Sequence, residues 1–299
     1  MKSPSFGYVA PASTADVVDA LTTGSAAPGG AVVLAGGQSL LVELHHRRVR
    51  PALVVDLGRV GDLGGLAVAG GELHVGALAR HRDAERPGAA PGPLGRLLPR
   101  VAEHVAHPPV RARGTIAGSL AWGHPAAEWG AVAVALDARV DLRGAGGGRS
   151  VAAADWFRGP HRTARRPDEL VTALRLPLPP AGAGVGFVEH RRTAASYAGV
   201  AVVAVLELEG PVVTSARLGV VGAADRPERA AAAEGFLRGA EAGEAAFARA
   251  GELAARDADP VDEPHQPADH RRHLVGVLVR RALGRALADR RSTDEEEDA

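Results

Sequence analysis

Residues 31–40 read Ala31-Val32-Val33-Leu34-Ala35-Gly36-Gly37-Gln38-Ser39-Leu40. Val32–Leu34 is a short apolar, β-branched run, the pattern of a buried strand. It leads directly into two glycines. Paired glycines let successive backbone N–H groups approach a ligand at backbone angles other residues avoid. Gln38 and Ser39 add side-chain donors. Such a turn suits a pyrophosphate, although the same residues also make an ordinary tight turn. About eighty residues on, Thr115-Ile116-Ala117-Gly118-Ser119 is a second small, polar, glycine-containing turn. Either turn alone is weak evidence; the ordered pair is stronger.

Around these turns the pattern alternates. Ser13 or Thr14 can cap a helix whose Val17, Val18 and Leu21 share one face. Leu53–Val55 is a further strand. Leu66–Ala69 and Glu72–Val75 alternate about Gly70-Gly71, a strong hairpin signal. Leu94–His107 is expected to be helical, stopped by Pro108-Pro109. Pro125–Leu136 is an Ala-rich helix, and Val140 with Leu142 and Val171–Leu176 are strands. Pro177–Gly184 is the best linker, being rich in Pro and Gly. Beyond it come three strands, near 185–191, 199–207 and 212–221. Helices near 227–237, 244–256 and 268–288 follow. Strands and helices segregated in this way predict an α+β domain.

Composition narrows the chemistry. The chain has 299 residues, 35 basic and 35 acidic side chains, and no Cys. That excludes a disulfide framework, a Cys nucleophile and any cluster or zinc held by this chain's own thiolates. Zero net charge and 3% aromatic residues give no nucleic-acid signature. The longest apolar run, Ala198–Leu206, is far below the ~20 residues that span a bilayer. The N-terminus has no apolar segment of the secretory kind, so a cytoplasmic protein is expected. Lys2 is the single lysine, which rules out a phosphate-binding P-loop. Gly182-Ala183-Gly184-Val185-Gly186 approaches a dinucleotide motif, but it precedes a strand, whereas that motif must follow one. His104 with His107, and His270 with His273, sit three apart, but no Cys or evident carboxylate completes a metal set, so none is expected.

The sequence as a whole resembles the FAD-binding medium subunit of molybdenum hydroxylases, the carbon monoxide dehydrogenase and xanthine dehydrogenase relatives. The resemblance rests on the two turns in order, then His124-Pro125-Ala126-Ala127-Glu128. It extends through Pro51–Leu57, Leu73–Leu78, Pro167–Val171, Leu174–Pro177 and Arg271–Leu278, and so covers nearly all of residues 1–288. It implies an α+β chain. Residues 1–178 would form the two-subdomain FAD-binding fold of vanillyl-alcohol oxidase (PCMH) type, split near residue 57. Residues 183–288 would form a three-stranded antiparallel sheet with helices, and 289–299 a disordered acidic tail.

The resemblance also implies a site. Leu34, Ala35, Gly36, Gly37, Gln38, Ser39 and Leu40 would wrap the FAD pyrophosphate. Thr115, Ile116, Ala117, Gly118 and Ser119 would lie along the pyrophosphate and ribityl, with Ala117 and Ser119 where the family usually has Gly and Asn. Glu128 would accept hydrogen bonds from ribityl hydroxyls, and His124 stands where relatives often carry Asp. Tyr197 would approach the isoalloxazine, and Arg191 or Arg192 could offset negative charge on the reduced flavin. No residue is expected to act as a catalytic acid or base or to bind metal. The implied function is electron transfer through non-covalent FAD, from the [2Fe–2S] clusters of a small subunit to an external acceptor. A molybdenum-cofactor large subunit would act on the substrate. The usual assembly is a dimer of heterotrimers. The alternatives are a stand-alone flavin oxidase of the vanillyl-alcohol type, disfavoured by the short second domain, and a scaffold subunit that has lost flavin.

Overall fold

The computed structural model describes residues 2–263 and 265–297, with 293–297 as backbone. The chain opens with β1 (Gly7–Val9), α1 (Thr14–Ser25), β2 (Ala31–Leu34), α2 (Leu40–His45) and β3 (Leu53–Asp56). These strands form a parallel sheet in the order β1-β3-β2. Ser13 caps α1 by accepting the Asp16 N–H. Val17, Val18 and Leu21 are buried on the face that the spacing predicted.

A second group follows. It holds β4 (Leu66–Ala69), β5 (Glu72–Gly76), α3 (Gly92–Ala102), α4 (Pro108–Arg111), α5 (Ile116–Trp122) and α6 (Glu128–Ala135). It continues with β6 (Arg139–Gly144), β7 (Gly147–Ala152), α7 (Ala153–Trp156) and β8 (Leu170–Pro177). Its strands make an antiparallel sheet ordered β4-β5-β8-β6-β7. Two differences from the sequence reading have local causes. Helix α3 stops at Ala102 instead of His107, and the Arg111 guanidinium binds the carbonyls of Val105 and Ala106 in the turn beyond it. The second glycine-containing turn is itself the start of a helix, because Thr115 caps α5 by accepting the Gly118 N–H at 3.0 Å.

The C-terminal group has β9 (Gly184–His190), β10 (Val200–Glu209), β11 (Val212–Val221), β12 (Glu228–Arg229), α8 (Ala231–Leu237), α9 (Glu244–Asp257) and α10 (Ala268–Glu297). The three expected antiparallel strands are joined by a two-residue edge strand, giving the order β12-β11-β10-β9. That strand occupies the start of the helix expected from Pro227, so α8 begins at Ala231. Helix α10 continues to Glu297, through acidic residues set apart by sequence as a tail; Asp298 and Ala299 lie outside the described residues.

The C-terminal sheet is buried on both faces. Val188, Val202 and Leu218 pack beneath α9 and α10. Val185, Phe187, Val203 and Val221 join the core of the N-terminal groups. Every residue of α6 is buried, which fits a helix apolar all round. Gly184 and Gly186 have a structural use. A Cβ at either would land on the Ala286 or Ala282 carbonyl of α10, so the glycines let helix and strand pack in near backbone contact. Asp289 on α10 ties the groups together. Buried, it accepts from Arg96 Nε at 3.0 Å, Arg100 Nη2 at 2.8 Å and the Val185 N–H at 3.0 Å.

Candidate functional site

A cavity of about 460 Å³ opens where the parallel sheet, helix α5 and the loop after β9 meet. That volume is within the range of small-molecule and cofactor sites. Both glycine turns line it, although about eighty residues separate them.

The first turn contributes Ala35, Gly36, Gly37, Gln38, Ser39 and Leu40. Gly37 has φ +74°, in the left-handed region that favours glycine. Gly36 meets the second motif directly. A Cβ there would land on the Arg113 carbonyl oxygen and 2.6 Å from Gly114 Cα. Among the described residues, the N–H groups of residues 36–39 have no backbone acceptor, while the Gly37 and Ser39 carbonyls serve α2. Leu34 remains in β2, paired with Asp56, and is not part of the lining.

From the second motif Thr115, Ala117, Gly118 and Ser119 line the cavity. Ile116 points into the core instead, 1% exposed. The Ala117 N–H, like those of the first turn, has no backbone acceptor among the described residues. Two neighbouring turns with unpaired N–H donors make a cradle for a doubly anionic group.

Glu128, the first residue of α6, is 4% exposed and lines the cavity. Burial first, and then the charge of Glu189, push its carboxyl up to about 8, against the pull of its own backbone N–H and Arg191. Near neutral pH it therefore holds a proton, and it can donate as well as accept towards a polyol. The sequence reading had it as an acceptor only. Glu189 lies on β9 with its carboxyl oxygens buried and without hydrogen-bond partners among the described residues. Burial raises it to about 7, opposed by Arg191, whose Nε stands 3.8 Å away.

Tyr197 closes one end of the cavity from the loop after β9. Ser39 and Trp122 are its polar neighbours, so one phenol reaches both turn regions. His124 lies outside the lining but stacks flat on the Tyr197 ring. Its Nδ1 accepts the Ala126 N–H at 3.1 Å. Burial and neighbouring His161 bring it down to about 4, so it is neutral near pH 7.

The arginines depart from expectation. Neither Arg191 nor Arg192 lines the cavity. Arg191 Nη1 donates to the His104 carbonyl at 2.8 Å, and Arg192 is exposed. Among the lining residues that the sequence reading did not assign to the site are the polar or aromatic side chains of His81, Trp122 and Arg165. His81 is 5% exposed and accepts the Trp129 indole N–H at 2.9 Å, which leaves the remaining imidazole proton on Nε2. Burial, with Arg111 and Arg80 nearby, lowers it to about 4. Nothing in the string Ala79-Arg80-His81-Arg82-Asp83 distinguishes its histidine from a surface residue.

Comparison with known proteins finds relatives along nearly the whole chain. Residues 4–179 match the model of the FAD binding domain in molybdopterin dehydrogenase, and residues 186–286 that of the CO dehydrogenase flavoprotein C-terminal domain. The chain is 34% identical to the nicotine 6-hydroxylase medium subunit of Paenarthrobacter nicotinovorans, covering 96% of this chain and 99% of that protein. It is 35% identical to the carbon monoxide dehydrogenase medium chain of Afipia carboxidovorans, over 95% of this chain and 97% of that one. Among solved structures, a Cu,Mo-CO dehydrogenase chain superposes with a TM-score of 0.92 at 33% identity, covering 97% of this chain and 100% of that chain. A chain of quinoline 2-oxidoreductase from Pseudomonas putida 86 gives 0.89 at 33%, covering 96% and 99%.

Proposed function

The chain belongs to the family of FAD-binding subunits of molybdopterin dehydrogenases, and from that premise we propose that it is the electron-transferring FAD subunit of a heteromeric molybdenum hydroxylase. One observation supports this most directly. Two glycine-bearing turns, distant in sequence, converge on one cavity and present unpaired backbone N–H groups to it. A dinucleotide needs such donors for its pyrophosphate and a polar wall for its polyol, and the residues present fit both.

The parts divide as follows. The N–H groups of Gly36–Ser39 and Ala117 hold the pyrophosphate. Glu128 binds ribityl hydroxyls, donating its proton to one oxygen and accepting from another. Tyr197, backed by His124, covers the ring end and restricts water there. FAD, held non-covalently, supplies the ability to take up electrons singly or in pairs. Residues 1–178 would carry the cofactor and 183–288 would brace it, with Tyr197 reaching across. The partners would be a [2Fe–2S] small subunit that delivers electrons and a molybdenum-cofactor large subunit that acts on the substrate, in a dimer of heterotrimers. No helix among the described residues is long and apolar enough to cross a membrane, and we place the complex in the cytoplasm.

The absorption spectrum of the purified chain tests this. Flavin bands near ~450 nm are expected, with the chromophore released intact on denaturation. A colourless chain that takes up no added FAD would overturn the reading.

A further inference from the structure

Of the charged groups in the cavity, Arg165 is the one whose placement neither the motifs nor the family descriptions explain. Among the described lining residues it alone carries a fixed positive charge: Glu128 is acidic and His81 neutral. Its Nη1 is held by backbone carbonyls, Arg166 at 3.0 Å, Glu169 at 3.0 Å and Pro167 at 3.4 Å. No carboxylate pairs with it within 4.0 Å among the described residues. The nearest, Glu169, is engaged elsewhere, bound by Arg149 at 2.6 and 2.7 Å and by the Arg166 N–H at 2.7 Å. Nε and Nη2 make no hydrogen bond among the described residues, yet neither is sealed in the protein interior. Arg165 itself lines the cavity. A guanidinium anchored on one edge with its other edge free is set to donate to a ligand.

The position of its segment indicates which part of the ligand it meets. Four residues earlier, His161 packs on Trp122 with centroids 4.6 Å apart and on His124 at 5.3 Å. His124 in turn stacks on Tyr197. The segment thus runs from that aromatic group to Leu170 and Val171, apolar lining residues at the start of β8. The unpaired N–H donors suited to phosphate lie elsewhere, at Gly36–Ser39 and Ala117.

We propose that Arg165 faces the flavin ring, donates to its carbonyl oxygens, and favours the reduced cofactor by offsetting the negative charge it gains. This rests on the FAD reading above and replaces Arg191 and Arg192 in that role. A fixed charge beside the ring is one of the means by which a protein tunes a flavin.

The test is reductive titration of the FAD-loaded full chain, wild type against Arg165→Gln and Arg165→Lys, with FAD affinity measured in parallel. In Arg165→Gln the preference for reduced over oxidised FAD should drop about tenfold, which is ~30 mV for a two-electron couple. Affinity for oxidised FAD should change less than threefold, and Arg165→Lys should retain most of the wild-type potential. An unchanged potential in both variants overturns the proposal. So does a loss of FAD affinity without a change in potential, since that places Arg165 on the phosphates. If Arg165→Gln does not fold, Arg165→Met decides: a preference for reduced FAD lowered about tenfold supports the proposal, and an unchanged potential overturns it. A wild-type chain that binds no FAD would count against the functional reading instead.

Discussion

The imidazole of His124 lies face to face with the phenol ring of Tyr197, centroids 3.6 Å apart and planes within 4° of parallel. His124 follows α5 in the cofactor-binding part, whereas Tyr197 is carried by the loop after β9 in the C-terminal part. The ring pair therefore joins the two parts at the end of the cavity. A stacked aromatic pair is worth about 1 kcal/mol beyond its buried area. Tyr197→Ala should weaken FAD binding about fivefold and, through loss of the ring pair, lower the unfolding midpoint by about 2–4 °C. Flavin fluorescence titration measures the first and thermal unfolding the second. Unchanged affinity would remove Tyr197 from the site.

Gly36 admits no side chain, because a Cβ would meet the Arg113 carbonyl. Gly36→Ala must push the two turns apart, and binding of FAD should fall at least about tenfold. Gly37→Ala strains a left-handed residue and should cost about 1–2 kcal/mol of stability in addition. Dialysis against FAD followed by absorbance gives occupancy. If Gly36→Ala is fully loaded, the pyrophosphate assignment is wrong.

Asp289 is the buried link between α10 and α3, with its side chain 3% exposed. Removing it strands the buried Val185 N–H and leaves the partly exposed Arg96 and Arg100 without this partner, which should cost about 1–3 kcal/mol. Asp289→Ala should lose that much in chemical denaturation, and the C-terminal part should become the first to exchange amide hydrogens. A loss below about 1 kcal/mol would show that the clamp is dispensable.

The carboxyls of Glu128 and Glu189 are both raised in the folded chain, to about 8 and about 7. In the unfolded chain each ionises near its ordinary value. Below about pH 6.5 their extra protons are offset by His81 and His124, which folding lowers to about 4 and which the unfolded chain would hold protonated; between about pH 6.5 and 8 the folded state binds more protons than the unfolded state. Stability should therefore fall as pH rises through that window and level off above it. Glu189→Gln removes part of this slope and should stabilise the chain at pH 8 relative to wild type. Urea midpoints at pH 6.5 and 8 provide the check. A parallel decline in both proteins would dismiss the buried carboxyl as its cause.

Local chemistry made a large share of this molecule legible. Ser13 capping α1, the Gly70-Gly71 hairpin and the three long C-terminal strands are stated by neighbouring residues, and the structure places them accordingly. Boundaries shifted where a nearby side chain took over the backbone. Helix α3 ends early beside the Arg111 guanidinium, and Thr115 turned an expected turn into a helix cap. Gly184 and Gly186 resembled a nucleotide motif but serve the close approach of α10, which no local pattern discloses.

By itself the sequence determined which turns could cradle a phosphate, because a glycine's conformational freedom and a hydroxyl's donor are properties of the residues themselves. It also determined, through the missing cysteines, that any iron–sulfur cluster must be held by other chains. Only the tertiary structure decided which charged side chains surround the cavity. Arg165 and Arg192 are equivalent in a string of letters. One is drawn to the cavity wall by three backbone carbonyls, and the other extends into water. The same holds for Glu128 and Glu189, whose carboxyls are raised because folding takes both out of water, Glu128 also by the charge of Glu189. Burial and the approach of distant charges depend on long-range packing, and the order of residues along the chain does not report them.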